Sequence, residues 1–287
     1  MRMKQIKRKN FSRVKESLAK VLFLASACVS ILAVVLICVF LFANGIPAIG
    51  EVGLFKFLTG KEWRPGNDIY GILPMIVGSL YITAGALLLG VPIGILTALY
   101  LSRFASRPVA KLLNPAIELL AGIPSVVYGF FGLVVIVPVL GSSILTASIL
   151  LGIMILPTII TVSKSALDAV PDSYYEGALA LGATHERSVF KILFPAARSG
   201  VMAAIVLGIG RAIGETMAVM MVAGNQPRIT GNLLKGIRTL TTNIVLEMGY
   251  AADLHREVLI ATALVLFVFI LIINLSFSAL KRRSEKV

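Results

Sequence analysis

Residues 171–195, PDSYYEGALALGATHERSVFKILFP, form a polar island between apolar segments long enough to cross a bilayer. Here a chain otherwise suited to lipid meets something soluble. Ser173 followed three residues later by Glu176 has the form of a capping box, which predicts a helix with Tyr175, Ala178 and Leu179 on one face. Gly182 ends that helix, because glycine readily takes the left-handed conformation that closes one. Thr184 then caps a second short helix carrying Val189, Phe190, Ile192 and Leu193. Two short helices meeting at a glycine make a knob; on local pattern alone, an ordinary connecting loop is the alternative.

The whole chain of 287 residues is 57% hydrophobic and 14% charged, with a mean hydropathy of +0.93. A soluble domain cannot hide that much apolar surface, so the expected class is an all-α integral membrane protein. The net charge of +13 does not point to nucleic acid, since the cations gather at the ends of apolar segments as topology determinants do. Cys28 and Cys38 are the two cysteines, about 15 Å apart along one helix, too far for a disulfide bond.

In order, residues 1–20 are a basic N-terminus and 21–43 a first transmembrane helix, too long for the apolar core of a secretory signal. Residues 44–71 are an outer loop with interfacial aromatics Phe55, Phe57, Trp63 and Tyr70. A core at 72–280 holds five more spans. The second, 72–101, contains Pro74, Pro92 and the small pair Gly90 and Gly94; the third, 116–140, contains Glu118, Pro124 and Pro138. The fourth, 144–162, contains Pro157, and only Gly141, Ser142 and Ser143 precede it, which forces an antiparallel pair. The knob belongs to a loop at 165–197. A fifth span at 199–223, a long outer loop at 224–257, a sixth span at 258–280 and a tail at 281–287 complete the chain. Glycine and proline concentrate in spans two to five, which should line a pathway, while spans one and six face lipid.

Six spans put both termini on one side. Of the 27 Lys and Arg residues, 19 fall on the side holding the termini and the knob, seven on the other, and Arg211 lies between. Positive charge stays inside, so both termini and the knob are expected in the cytoplasm.

Arg211 and Glu215 sit in GIGRAIGETMAV, about halfway along the fifth span. A charge at that depth costs roughly 2.5–3.5 kcal/mol and needs a partner or a wet cavity. Four residues apart on one helix, the two can pair, either as a brace or as an anion site in which Glu215 competes for the guanidinium. Ser125 and Tyr128 in ELLAGIPSVVYG offer hydroxyls to a substrate or to neighbouring helices, and Glu118 begins that segment near water. His185 and His255 lie on opposite sides, so no metal site is expected. No GxxxxGK[ST] phosphate loop occurs, so ATP hydrolysis by that route is not expected of this chain.

The pattern Glu176, Ala178, Gly182, Ile192, Pro195 resembles the EAA loop of ABC importer permeases, which docks on an ATP-hydrolysing subunit; Glu-Gly-Ala stands here for Glu-Ala-Ala. YGILPMIVGSL at 70–80, LLAGIPSVVYGFFG at 119–132 and GRAIGETMAV at 210–219 extend the likeness over nearly the whole chain, to the phosphate importer permeases of the PstC type. The resemblance implies a type I ABC importer permease with six transmembrane helices in a prokaryotic inner membrane. It further implies a PstA-like second permease, two ATPase subunits that hydrolyse the ATP, and an extracytoplasmic phosphate-binding protein, with no cofactor in this chain. Docking falls on Tyr175, Glu176, Ala178, Gly182 and Ile192, and the family's fifth-span arginine and glutamate fall on Arg211 and Glu215. A permease for sulfate, molybdate or phosphonate, a PstA-type partner, a secondary transporter and a purely structural subunit are the alternatives; a secondary transporter should show internal repeats.

Overall fold

The computed structural model describes residues 2–284; residue 1 and residues 285–287, the end of the expected tail, lie outside the described residues. Helix α1 (Arg2–Val52) is continuous, runs past the expected end at 43 and accommodates Pro47. Gly53, at φ 88°, turns the chain into α2 (Leu54–Thr59) and a small antiparallel hairpin of β1 (Trp63–Arg64) and β2 (Ile69–Tyr70). The aromatics expected at the membrane interface are mostly turned into the protein: Phe57, Trp63 and Tyr70 are buried with Met75, Leu240 and Leu259, and of the four only Phe55 is exposed. Folding this segment back on itself removes their large apolar rings from water, which outweighs an interfacial position.

Helix α3 (Leu73–Leu99) continues through one wide turn, Tyr100–Phe104, in which the Ala105 N–H reaches the Tyr100 carbonyl at 2.7 Å. Next come α4 (Arg107–Gly122), α5 (Ser125–Phe131), a second wide turn at Gly132–Ile136, and α6 (Val137–Leu140). The third span expected at 116–140 is therefore no single rod: Arg107–Gly122 and Ser125–Leu140 are bent by 96°. Pro124 causes the bend by lacking an N–H and by forcing Ile123 into an extended conformation, ψ 126°.

Ser143 accepts from the Thr146 N–H at 3.2 Å and starts α7 (Ile144–Asp168), the most deeply enclosed of the long apolar helices. Helix α3 lies along it. A Cβ on Gly90 would stand 2.8 Å from the Ile155 side chain, and one on Gly94 2.7 Å from Ile159, so the small pair lets the two helices approach.

The chain then forms α8 (Asp172–Ala180), α9 (His185–Ser188), a third wide turn at Val189–Leu193 and α10 (Phe194–Ala196). Helix α11 (Arg198–Gly214) stops before the expected end of the fifth span, and after a break at Glu215–Thr216 the short α12 (Met217–Val222) follows. The expected loop at 224–257 contains α13 (Leu240–Met248), capped by the reciprocal bonds of Thr239 and Thr242. Helix α14 (Asp253–Ser284) closes the chain and carries α1 at Gly45, where a Cβ would meet Leu264 at 3.0 Å. Among the described residues, four helices are long and apolar enough to cross a membrane, or up to six if each bent pair is one span. The apolar window of α1 is 0% buried and that of α14 28%, against 39% for α3 and 67% for α7, in keeping with lipid-facing outer helices. Cys28 and Cys38 are both free thiols.

Candidate translocation pathway and docking loop

The knob forms, with one change at its start. Helix α8 begins at Asp172 with Pro171 before it and no side-chain cap, so Ser173 and Glu176 do not make the expected capping box. Proline at that entry presets the backbone, and Ser173 is drawn inside the helix. The other end matches expectation: Gly182 has φ +84°, its N–H reaches the Leu179 carbonyl at 2.9 Å, and the Ala183 N–H reaches Ala178 at 3.1 Å. That bond pair closes the last carbonyls of the helix. The Thr184 hydroxyl accepts from the Arg187 N–H at 3.3 Å and starts α9.

Tyr175 and Ala178 are half-buried against the body, Glu176 and Gly182 are exposed, and Ile192 is exposed beside Phe190. Leu181 is 91% exposed, an apolar side chain at the tip of a polar loop. The Tyr175 hydroxyl lies 2.7 Å from His185 Nδ1 and closes the knob from inside. The Glu186 backbone N–H, then the Thr184 hydroxyl and the neighbouring His185, hold the exposed Glu186 carboxyl below its ordinary value.

Arg211 and Glu215 are not an ion pair in this structure. The helix that should align them ends at Gly214, Glu215 is extended with ψ 128°, and each side chain has other work. Arg211 Nη1 donates to Thr158 Oγ1 on α7 at 3.1 Å. Glu215 Oε1 accepts from the Ala218 N–H at 3.3 Å and thereby caps α12, while Thr241 Oγ1 donates to the Glu215 carbonyl at 3.1 Å. Tyr128 donates to the Leu120 carbonyl at 2.9 Å, the group that a helix would have bonded to the N–H that Pro124 lacks. Its hydroxyl proton therefore braces the bend. Ser125 is half-buried at the start of α5.

These breaks lie together. Helix α5 packs on α12 so closely that a Cβ on Gly129 would stand 2.9 Å from the Ala218 backbone, and Tyr128 is within electrostatic reach of Arg211. Near Arg211 on α11, the positions of Gly210 and Gly214 open onto free space. Interrupted helices at membrane depth are tolerated where they are covered by protein or line a wet cavity.

At the far end of the molecule from the knob is a cluster that sequence reading missed. Glu247, with a side chain 7% exposed, accepts from Arg238 Nη1 at 2.5 Å and Trp63 Nε1 at 2.9 Å, and its Oε2 lies 2.9 Å from His255 Nε2. Arg238 also donates to Asn243 Oδ1 and to the Asn225 carbonyl, both at 2.9 Å. The available signal was Thr239 ahead of, and Thr242 within, a helically spaced LTTNIVLEM, a cap outside the Ser-x-x-Glu form; nothing marked Thr158 as the partner of Arg211. Trp63→Phe removes one hydrogen bond to a charged acceptor and is expected to cost roughly 1.5 kcal/mol. The thermal unfolding midpoint of the detergent-purified protein measures this, and an unchanged midpoint would reduce Trp63 to packing. Among the described residues, no group of three or more His, Cys, Asp or Glu is placed to hold a metal ion.

Residues 90–286 match the family described as binding-protein-dependent transport system inner membrane component. The chain belongs to that family. It is 39% identical over 280 residues to the probable ABC transporter permease protein YqgH of Bacillus subtilis, with 91% of each chain covered. It is 36% identical to the phosphate transport system permease protein PstC of Mesorhizobium japonicum, covering 81% of this chain and 80% of that one. To the probable PstC protein of Methanocaldococcus jannaschii it is 31% identical, covering 93% and 94%. The fold is that of ABC importer permeases: a chain of the MetNI methionine ABC transporter superposes with a TM-score of 0.58 at 19% identity, over 75% of this chain and 94% of that one. A crystal structure of an amino acid ABC transporter gives 0.57, also at 19% identity, over 74% and 93%. The protein is thus a multi-pass membrane protein and a transport component of this family.

Proposed function

We propose that this chain is the PstC-type permease subunit of an ATP-driven importer that carries inorganic phosphate across a prokaryotic inner membrane. The observation that carries the reading is the guanidinium of Arg211, held among the described residues by one threonine hydroxyl, beside two adjoining helix breaks. Phosphate brings one to two negative charges, and an arginine answers with two parallel hydrogen bonds that lysine cannot copy. Thr158 is a weak enough partner to yield the guanidinium to a passing anion. Relatives named as phosphate permeases at 31–36% identity supply the substrate class.

In this reading the bent segment Arg107–Leu140 supplies one span and α11 with α12 another, giving six, with both termini and the knob in the cytoplasm. A PstA-like permease stands opposite, two ATPase subunits dock on Tyr175, Glu176, Ala178, Gly182 and Ile192 and hydrolyse the ATP, and a phosphate-binding protein delivers substrate from outside. This chain itself needs no cofactor. Orientation is tested by single cysteines at exposed sites: impermeant reagents added outside should label positions 62 and 235 and leave 186 unlabelled until the membrane is opened. External labelling at 186 would overturn both orientation and docking. Substrate is tested in proteoliposomes holding both permeases and the ATPase, with the binding protein outside. ATP-dependent phosphate uptake is expected, and uptake of sulfate or molybdate in its place would reassign the anion.

A further inference from the structure

The docking loop has a third attachment besides its two covalent ends, and it runs to the wide turn that ends α3. Arg103 in that turn donates through Nη2 to the Leu167 carbonyl at 3.3 Å and through Nη1 to Asp172 Oδ1 at 3.2 Å. One guanidinium thus holds both the end of α7 and the first acid of α8, with each charge where the helix dipole favours it. Asp172 is largely exposed, so the bond to the buried Leu167 carbonyl is the firmer half. The preceding Ser102 donates to Asp168 Oδ1 at 2.5 Å, and Lys164 lies 2.7 Å from the other oxygen of that carboxylate. The following Phe104 meets the His185 ring edge-on at 4.6 Å and lies 6.4 Å from Phe190. Three consecutive residues of one turn therefore address α7, α8, α9 and the wide turn after α9.

The turn is also suited to change. It contains one residue more than an α-helical turn accommodates, and single wide turns of this kind are frequent at functional places. Arg103 Nε is buried with no acceptor among the described residues, so this arrangement leaves the guanidinium incompletely satisfied. Beyond Ala105 and Ser106 the chain enters α4, which leads to the bend at Ile123–Pro124.

We propose that Tyr100–Phe104 is the joint through which movement of the docking loop reaches α3 and α4, with Arg103 and Phe104 as positioning residues that act on the pathway through those helices. The proposal rests on the reading of the chain as an ATP-driven permease. Transmission requires an element with two discrete arrangements, and the turn provides them: wound wide as here, or relaxed to the α-helical ladder with its extra residue passed into Ala105–Ser106. Neither side chain need contact the anion or the ATPase.

The test is the number of ATP molecules hydrolysed per anion imported, measured in proteoliposomes with the complete complex. Phe104→Ala should leave assembly intact and hydrolysis within about twofold of wild type while that number rises at least about tenfold, and Phe104→Leu should restore most of the coupling. Arg103→Lys keeps the charge but not the fork; it should raise the number too, and it carries the test if Phe104→Ala does not accumulate. An unchanged number in the variants, with both rates normal or both falling in step, would make the turn a mere structural support and overturn the proposal. Failure of the underlying reading looks different: the wild-type complex would then show no ATP-dependent uptake at all.

Discussion

Phosphate uptake by a complex carrying Arg211→Gln is expected to fall about a hundredfold or more, with permease, partner permease and ATPase still copurifying. The size follows from losing two charge-assisted hydrogen bonds of about 1.5 kcal/mol each to the passing anion, some 3 kcal/mol in a barrier where 1.4 kcal/mol is tenfold. Lysine keeps the charge but offers no flat pair of donors, so Arg211→Lys should recover only a small part of the rate. Thr158→Val, which frees the guanidinium without removing it, should have a far milder effect. Normal uptake with Arg211→Gln would remove this residue from the pathway. Loss of the assembled complex, with no transport-specific defect, would instead make the Arg211–Thr158 bond a brace between α11 and α7.

Gly182→Val should abolish most of the stimulation of the ATPase, by about tenfold or more, with the permease still in the membrane. A Cβ at this position meets nothing within 4 Å, so space does not forbid a side chain; the φ of +84° does. The left-handed region costs an L-residue roughly 1–2 kcal/mol and is worst for a β-branched one, so the chain would abandon the turn and swing α9 away from α8. Asparagine tolerates that region, and Gly182→Asn should keep most of the stimulation. Equal behaviour of the two variants would show that the backbone geometry here is not what the ATPase reads.

The features legible in the sequence were those decided by local chemistry. Gly182 and Thr184 have few conformational alternatives in their setting, and the apolar run of α7 can only be a buried helix. The Gly90 and Gly94 pair likewise announced a close helix contact. The features that stayed hidden depend on two distant segments. Spacing put Arg211 and Glu215 on one helix face, but whether the helix survives Gly214 is decided by Thr241 and Ala218 taking hold of Glu215. Pro124 signalled a disturbance in the third span without its 96° angle or the bond that Tyr128 makes across it to the Leu120 carbonyl. Trp63 and Tyr70 looked interfacial because their neighbours are polar. Their partners Glu247 and His255 lie far along the chain.

The continuity of α1 fixes a height. Its apolar stretch Leu18–Val52 has 35 residues and so rises about 52 Å, whereas the hydrocarbon layer is about 30 Å thick. To keep all of it within lipid the helix would have to lean more than about 50°, outside the usual range of up to 40°. Between roughly 10 Å at that limiting tilt and 20 Å upright must therefore stand clear of the hydrocarbon. The end at Val52 is the part clad by α14 at Gly45 and Ala48, and it joins the segment that buries Phe57 and Trp63. The protein thus has an upper storey, a folded rim raised above the lipid. A soluble partner approaching from that side would meet this rim before it reached the headgroups.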